Sequence, residues 1–210
     1  MPNVIHVGWT ITPKIAPQPW RPCSRCGTQR PFRCSGKFRF NANGKRLDAW
    51  LIYKCTGCDE TWNRTVVERR AAREFNPAVL AAFEANDPAL VRRFAFDAVG
   101  LRKSAHRVAE FGEVEVRKDL LDGTFGSDSP ISLEIVLRVP IPIPLRLDRL
   151  LAAELGISRS RVAVLVEAGR LRTAAALSKA VRDGTRIEID LAAGMNADLR
   201  HNLDLRRFCN

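Results

Sequence analysis

Four of the six cysteines fall in two Cys-x-x-Cys pairs, Cys23 with Cys26 and Cys55 with Cys58, with 28 residues between the pairs. A divalent ion such as zinc takes four thiolates in a tetrahedral set, and two such pairs, each in a short turn, supply them without strain. The residues after each pair, Gly27 and Asp59, are turn formers. Disulfides are the alternative, but paired cysteines in a chain without a leader segment favour metal. A redox-active pair would sit at a helix start within a βαβ unit, which is missing here. With all four positions held by protein, the expected site is structural rather than catalytic. Cys34 could replace a cysteine of the pairs, but its place outside them favours an unliganded thiol, and Cys209 reads as an exposed thiol.

The gap between the pairs exceeds the roughly 15–20 residues of the commonest double-pair pattern, so it should hold a hairpin. Lys37-Phe38-Arg39-Phe40 alternates, Asn43-Gly44 suits a two-residue turn, and Arg46 to Lys54 runs back. Centring the turn on Asn43-Gly44 pairs Phe40 with Leu47 and Phe38 with Ala49 on one face, and Arg39 with Asp48 on the other. Residues 23–62 thus resemble a four-cysteine zinc ribbon. Across residues 21–47 stand Arg21, Arg25, Arg30, Arg33, Lys37, Arg39, Lys45 and Arg46 with no acidic residue, interleaved with Phe32, Phe38 and Phe40. Such a mixture can contact phosphates and stack bases; alternatively, the arginines offset the net charge of a four-thiolate zinc centre while the phenylalanines fill a small core.

The whole chain has 210 residues and a formal charge of +11, which favours polyanions, nucleic acid above all. Hydrophobic residues at 46% and charged residues at 27% fit a folded protein. No stretch nears the roughly 18 apolar residues a membrane helix needs, so no membrane partner is expected. Met1-Pro2-Asn3-Val4-Ile5-His6 shows neither a basic leader nor a cleavage pattern, so the expected address is cytoplasmic.

The expected organisation is α+β in four parts: residues 1–65 as an N-terminal strand (Val4 to Ile11) and the ribbon, 66–139 as a helical segment followed by strands, 140–144 as a Pro-rich connector, and 145–210 as a C-terminal module with its tail. The connector, Pro140-Ile141-Pro142-Ile143-Pro144, forbids helix. The middle part reads as helical from about Val66 to Phe111. Within it Asn76-Pro77 and Asp87-Pro88 each offer a cap followed by proline at the first helical position, which predicts two short helices. Strands are expected at Val114 to Val116 and at Ile131 to Val139, where Ile131, Leu133, Ile135, Leu137 and Val139 share a face.

Beyond the connector, Leu147, Leu150, Leu151 and Leu155 form one face of a helix ended by Gly156. Ser158 can cap a second helix with Val162, Leu165 and Val166 on its apolar face, closed by Gly169. Arg146, Arg149, Arg159, Arg161, Arg170 and Arg172 lie at or near the helix ends, where guanidinium groups and backbone donors could grip phosphate together. The run Arg146-Leu147-Asp148 with Leu151, the turn Ser158-Arg159-Ser160-Arg161, and Gly169 before a strand-like segment resemble the alpha-L RNA-binding motif of ribosomal small-subunit protein four, pseudouridine synthases and tyrosyl-tRNA synthetases. Asp183 to Ile189 is similar to that motif's closing turn and strand. Where family members carry Val-Asn-Gly, this chain has Leu171-Arg172-Thr173-Ala174-Ala175. The resemblance spans about residues 145–191 and implies RNA binding through the six arginines. A DNA-reading helix-turn-helix shares these features but sits among further helices, whereas strands follow here. The order of ribbon, helical middle and alpha-L-like end is similar to a bacterial family known as domain-of-unknown-function 1062, a resemblance that adds no reaction.

No nucleophile with its base, paired carboxylates, open metal site or phosphate loop is visible. His6, His106 and His201 are far apart, and His106 with Glu110, one helical turn on, reads as a surface pair. The expectation is a non-enzymatic zinc protein binding structured RNA, rRNA or tRNA. A zinc-ribbon DNA-binding regulator or a protein-interaction adaptor is the alternative.

Overall fold

The computed structural model describes residues 4–43, 46–122 and 132–191. These form two compact units, one of Met1–Lys14 with Gly112–Asn210, the other of Ile15–Phe111. The second is therefore inserted in the first. Among the described residues ten strands carry the structure, with a few short helices, so the fold is α+β with sheet predominating.

In the first unit, β1 (Val4–Pro13) lies between β7 (Val114–Asp122), antiparallel, and β8 (Ser132–Arg138), parallel. β10 (Arg186–Asp190) adds to β8 and β9 (Leu171–Thr173) to β10, both antiparallel, giving the order β7-β1-β8-β10-β9. Period-2 alternation sends Ile5, Val7, Trp9 and Ile11 of β1 and Leu133, Ile135 and Leu137 of β8 into one core. There they meet Leu147, Leu150, Leu151 and Leu155 of α4 (Leu147–Leu155) and Val162 and Leu165 of α5 (Arg159–Glu167). Burying one such leucine contributes about 2 kcal/mol.

The strands expected near Val4, Val114 and Leu133 are all present, although Ile131 lies outside the described residues. The boundary expected at 140–144 is not where the units divide. Ile143 and Leu145 are buried in the same core as β8 and α4, so the prolines set an extended path within one unit rather than linking two.

In the inserted unit the sheet order is β5-β4-β3-β2-β6, formed by β2 (Gln18–Cys23), β3 (Thr28–Asn43), β4 (Arg46–Cys55), β5 (Thr61–Ala71) and β6 (Arg107–Ala109), all antiparallel. Leu47, Ala49, Leu51, Tyr53 and Cys55 of β4 alternate inward. The expected hairpin exists, with a corrected register. At its cysteine end Phe32 faces Cys55 and Cys34 faces Tyr53, which is the register centred on Asn43-Gly44. Three residues, Ser35, Gly36 and Lys37, then oppose one on β4, and Gly36 turns through φ +75°. Beyond this bulge Phe40 faces Ala49, Phe38 faces Leu51, and Arg39 faces Trp50 rather than Asp48. A shift of two residues preserves the face on which every side chain lies, so the apolar face survives while the Arg39–Asp48 pair does not form. Arg39 instead lies 5.8 Å from the centre of the Trp50 ring.

The region from Val66 is not helical at its start, because β5 runs to Ala71. A single 3-10 turn (Ala72–Glu74) and three short helices follow: α1 (Pro77–Glu84), α2 (Pro88–Ala95) and α3 (Ala98–Arg102). Asn76 and Asp87 cap the first two as expected, accepting from the amides of Ala78 at 2.9 Å and Leu90 at 2.8 Å. Asp97 caps the third by accepting from Gly100 at 2.9 Å. Its other oxygen holds buried Arg64 at 2.6 Å, and Arg64 also donates to the Phe94 carbonyl at 2.7 Å.

Candidate metal centre and basic helix pair

The two cysteine pairs meet because β2 and β4 flank the beginning of β3 on either side and both end there. Each pair folds as the same turn. The amides of Gly27 and Asp59 donate to the carbonyls of Cys23 and Cys55 at 2.9 and 3.0 Å, and both residues adopt positive φ, +70° and +59°. Glycine and aspartate are residue types that tolerate this conformation. Within the turns, the Cys26 and Gly57 amides each point at a sulfur, Cys23 Sγ and Cys55 Sγ, at 3.4 Å.

The four sulfurs lie within 4.8 Å of one another, with Cys23 Sγ 3.5 Å from Cys58 Sγ and Cys26 Sγ 3.9 Å from Cys55 Sγ. A tetrahedral ion with bonds of roughly 2.3 Å sets sulfurs about 3.8 Å apart, so the residues present fit a four-thiolate metal site. Burial opposes ionisation of Cys23, but the Cys26 amide and the neighbouring thiols outweigh it and bring its pKa down to about 7. Cys34 stands outside the cluster, and burial pushes its thiol up. Cys209 lies outside the described residues.

The aromatic residues of the basic stretch do not serve as stacking platforms. Phe32 and Phe38 are buried, and Phe38 and Phe40 pack against Phe83 with ring centres 4.9 and 5.8 Å apart. They fill the small core. Arg25, Arg30, Arg33, Lys37, Arg39 and Arg46 are exposed, and Arg33 pairs with Asp59 at 2.6 Å, while Lys45 lies outside the described residues. Arg21 differs from these: its guanidinium sits 4.3 Å from the centre of the Trp62 ring and donates to the Ser104 carbonyl.

The helix pair forms as its pattern requires. Gly156 ends α4 in the left-handed conformation at φ +65°, and Ser158 Oγ accepts from the Arg161 amide at 3.1 Å at the start of α5. The polar residue that organises the pair is Asp148, buried in the first turn of α4. Arg146 reaches its two oxygens at 3.1 and 2.8 Å, and Arg159, from the next helix, reaches Oδ2 through two nitrogens at 3.1 and 2.7 Å. Burial works against this carboxylate, yet the bonds from Arg159 and Arg146 prevail and hold its pKa below the ordinary value. A carboxylate beside Leu147 on an otherwise apolar helix face was the sequence signal for this role.

Of the six arginines, Arg149 and Arg161 are exposed with no side-chain partner among the described residues. Arg172 pairs with Glu188 at 2.6 Å. Arg170 passes the chain from α5 into β9, its amide bonded to the Leu165 carbonyl and its own carbonyl to the Asp190 amide. One expectation is corrected. The first amides of α4 are not open to phosphate, because Leu147 and Asp148 donate to the carbonyls of Lys179 and Leu177 at 2.9 and 3.0 Å. The loop before β10 thus caps α4 with backbone. His106 and Glu110 do not share a helix either: His106 precedes β6, and Glu110 pairs with Arg102.

Among the described residues no helix is long and apolar enough to cross a membrane. The fold and site define a two-unit α+β protein with a four-cysteine cluster in the inserted unit. The model of a family described as a protein of unknown function, DUF1062, matches residues 40–177, and the chain belongs to that family. No curated protein and no solved structure matches it.

Proposed function

We propose that this chain is a non-enzymatic RNA-binding protein whose inserted unit is a ribbon built round one structural zinc ion. The observation that carries the RNA reading is the clamp at Asp148. It holds Arg146 and Arg159 at the starts of two successive helices with about half of each side chain exposed, 49% and 54%. Guanidinium groups fixed in this way lose little freedom on meeting a phosphate. Arg149 and Arg161 extend the same positive surface without internal partners among the described residues. Strands β9 and β10 follow the pair, as in the alpha-L motif and unlike a helix-turn-helix set among further helices. Zinc is the ion of choice for four thiolates at this spacing, and its role is to supply folding energy to a small unit.

The test is direct binding of the full, zinc-loaded chain to structured RNA, with the duplex DNA of the same sequence as competitor. Wild type should bind RNA with an affinity that falls steeply with salt. Arg149→Ala/Arg161→Ala should weaken binding and flatten the salt slope by about 0.7–0.9 for each phosphate that is no longer neutralised. Equal affinity for the DNA competitor would overturn RNA as the ligand.

A further inference from the structure

A cavity of about 720 Å³ opens in the inserted unit between β2 and the loop joining α3 to β6. Trp20 and Arg21 line it from the strand, and Arg102, Lys103, Ser104 and His106 from the other side. None of its lining residues is acidic. Three of them carry permanent positive charge and one is an imidazole, so the open cleft gathers positive potential at the surface. Two carboxylates stand near it: Glu110 pairs with Arg102, and Asp97, which pairs with Arg64, also feels the Lys103 charge. Arg21 makes no ion pair among the described residues. It is fixed by the Trp62 ring on one side and the Ser104 carbonyl on the other. Arg107 covers the Trp20 ring at 4.9 Å and further raises the local charge.

We propose that this cavity is a binding site for a phosphate group, held by Arg21, Lys103 and His106. A guanidinium held without a carboxylate partner, on the same cleft as an ammonium and an imidazole, matches the charge of a doubly negative oxyanion and offers it N–H donors. The volume admits a mononucleotide as readily as free phosphate. The site is separate from the helix pair and stands or falls independently of RNA binding there.

Calorimetric titration of the full, zinc-loaded chain at fixed ionic strength tests this, with inorganic phosphate, adenosine monophosphate and a short oligoribonucleotide as probes. Wild type should take at least one probe at one site per chain. Lys103→Glu and His106→Gln, both at exposed positions, should keep zinc content and amide protection while weakening that probe, the charge reversal by roughly tenfold or more. Arg161→Ala should leave phosphate and mononucleotide binding unchanged. If only the oligonucleotide binds, and Lys103→Glu weakens it in an Arg161→Ala background too, the phosphate belongs to the nucleic-acid chain. Binding of every probe no tighter than chloride, or unaltered binding by Lys103→Glu, would overturn the proposal.

Discussion

Asp148 and Arg159 belong to different helices, yet Arg159 Nη2 stands 2.7 Å from Asp148 Oδ2 and its Nε 3.1 Å from the same oxygen. With Arg146 on the same carboxylate, this contact ties the start of α5 to the start of α4. Asp148→Asn keeps the shape but removes the charge that both guanidinium groups share. It should lower the stability of this unit by about 1–2 kcal/mol, read as a shift in the denaturant midpoint, and should loosen the Arg159 side chain in NMR relaxation.

The pH dependence has a definite sign. The folded pKa of Asp148 lies below that of an unfolded aspartate, near 3.9. The clamp therefore contributes fully above about pH 4 and is lost as pH falls through the folded pKa. Amide protection factors across residues 150–155, corrected for the intrinsic pH dependence of exchange, should hold from pH 7 to pH 4 and fall below it. In Asp148→Asn that acid step should be missing. Asp97, whose pKa is likewise lowered despite its burial, by the Gly100 amide and Arg64, should behave in the same way in the inserted unit.

Metal removal should act on one unit. Mass spectrometry under native conditions should find one zinc per chain, and a chelator should abolish amide protection in β2 to β4 while leaving β1, β8 and β10 protected. Cys55→Ser should lose the ion. Cys34→Ser should keep it, since Cys34 stands outside the cluster.

Gly100 offers a packing test. A Cβ built there would overlap Asp97 Oδ2 and Arg64 Nη2, the paired ends of a half-exposed carboxylate and a buried guanidinium. Gly100→Ala should cost about 1–3 kcal/mol despite its higher helix propensity, measured by thermal unfolding of the zinc-loaded chain.

The parts legible in the sequence were those written in short range. The leucines of α4 at helical spacing, Gly156, Ser158 and the two cysteine turns depend on residues within a few positions of one another, and each took the conformation its chemistry dictates. The insertion did not announce itself, because the parallel pairing of Val4 with Ser132 joins segments whose local patterns are silent about their partner. The hairpin register differs beside the turn because Asn43 pairs with Arg46 instead of lying at the turn's centre, and the bulge at Gly36 then restores the expected register at the cysteine end. β5 was hidden by its charges: Glu68, Arg69 and Arg70 suggest a helix, whereas Arg69 takes φ +46° and gives its amide to Asp48 at 2.8 Å. The role of Asp148 was half visible, as an acid in an apolar row, but its second arginine comes from the neighbouring helix and only the tertiary fold supplies it.

The central claim is that the helix pair binds RNA, and crosslinking in cells followed by RNA sequencing tests it most directly, with wild type compared to a variant carrying Arg149→Ala and Arg161→Ala. These two side chains have no partners among the described residues, so the variant should fold and retain zinc. Enrichment of a defined structured RNA with wild type, abolished in the variant, is the expected result; recovery at background level from both would contradict the claim.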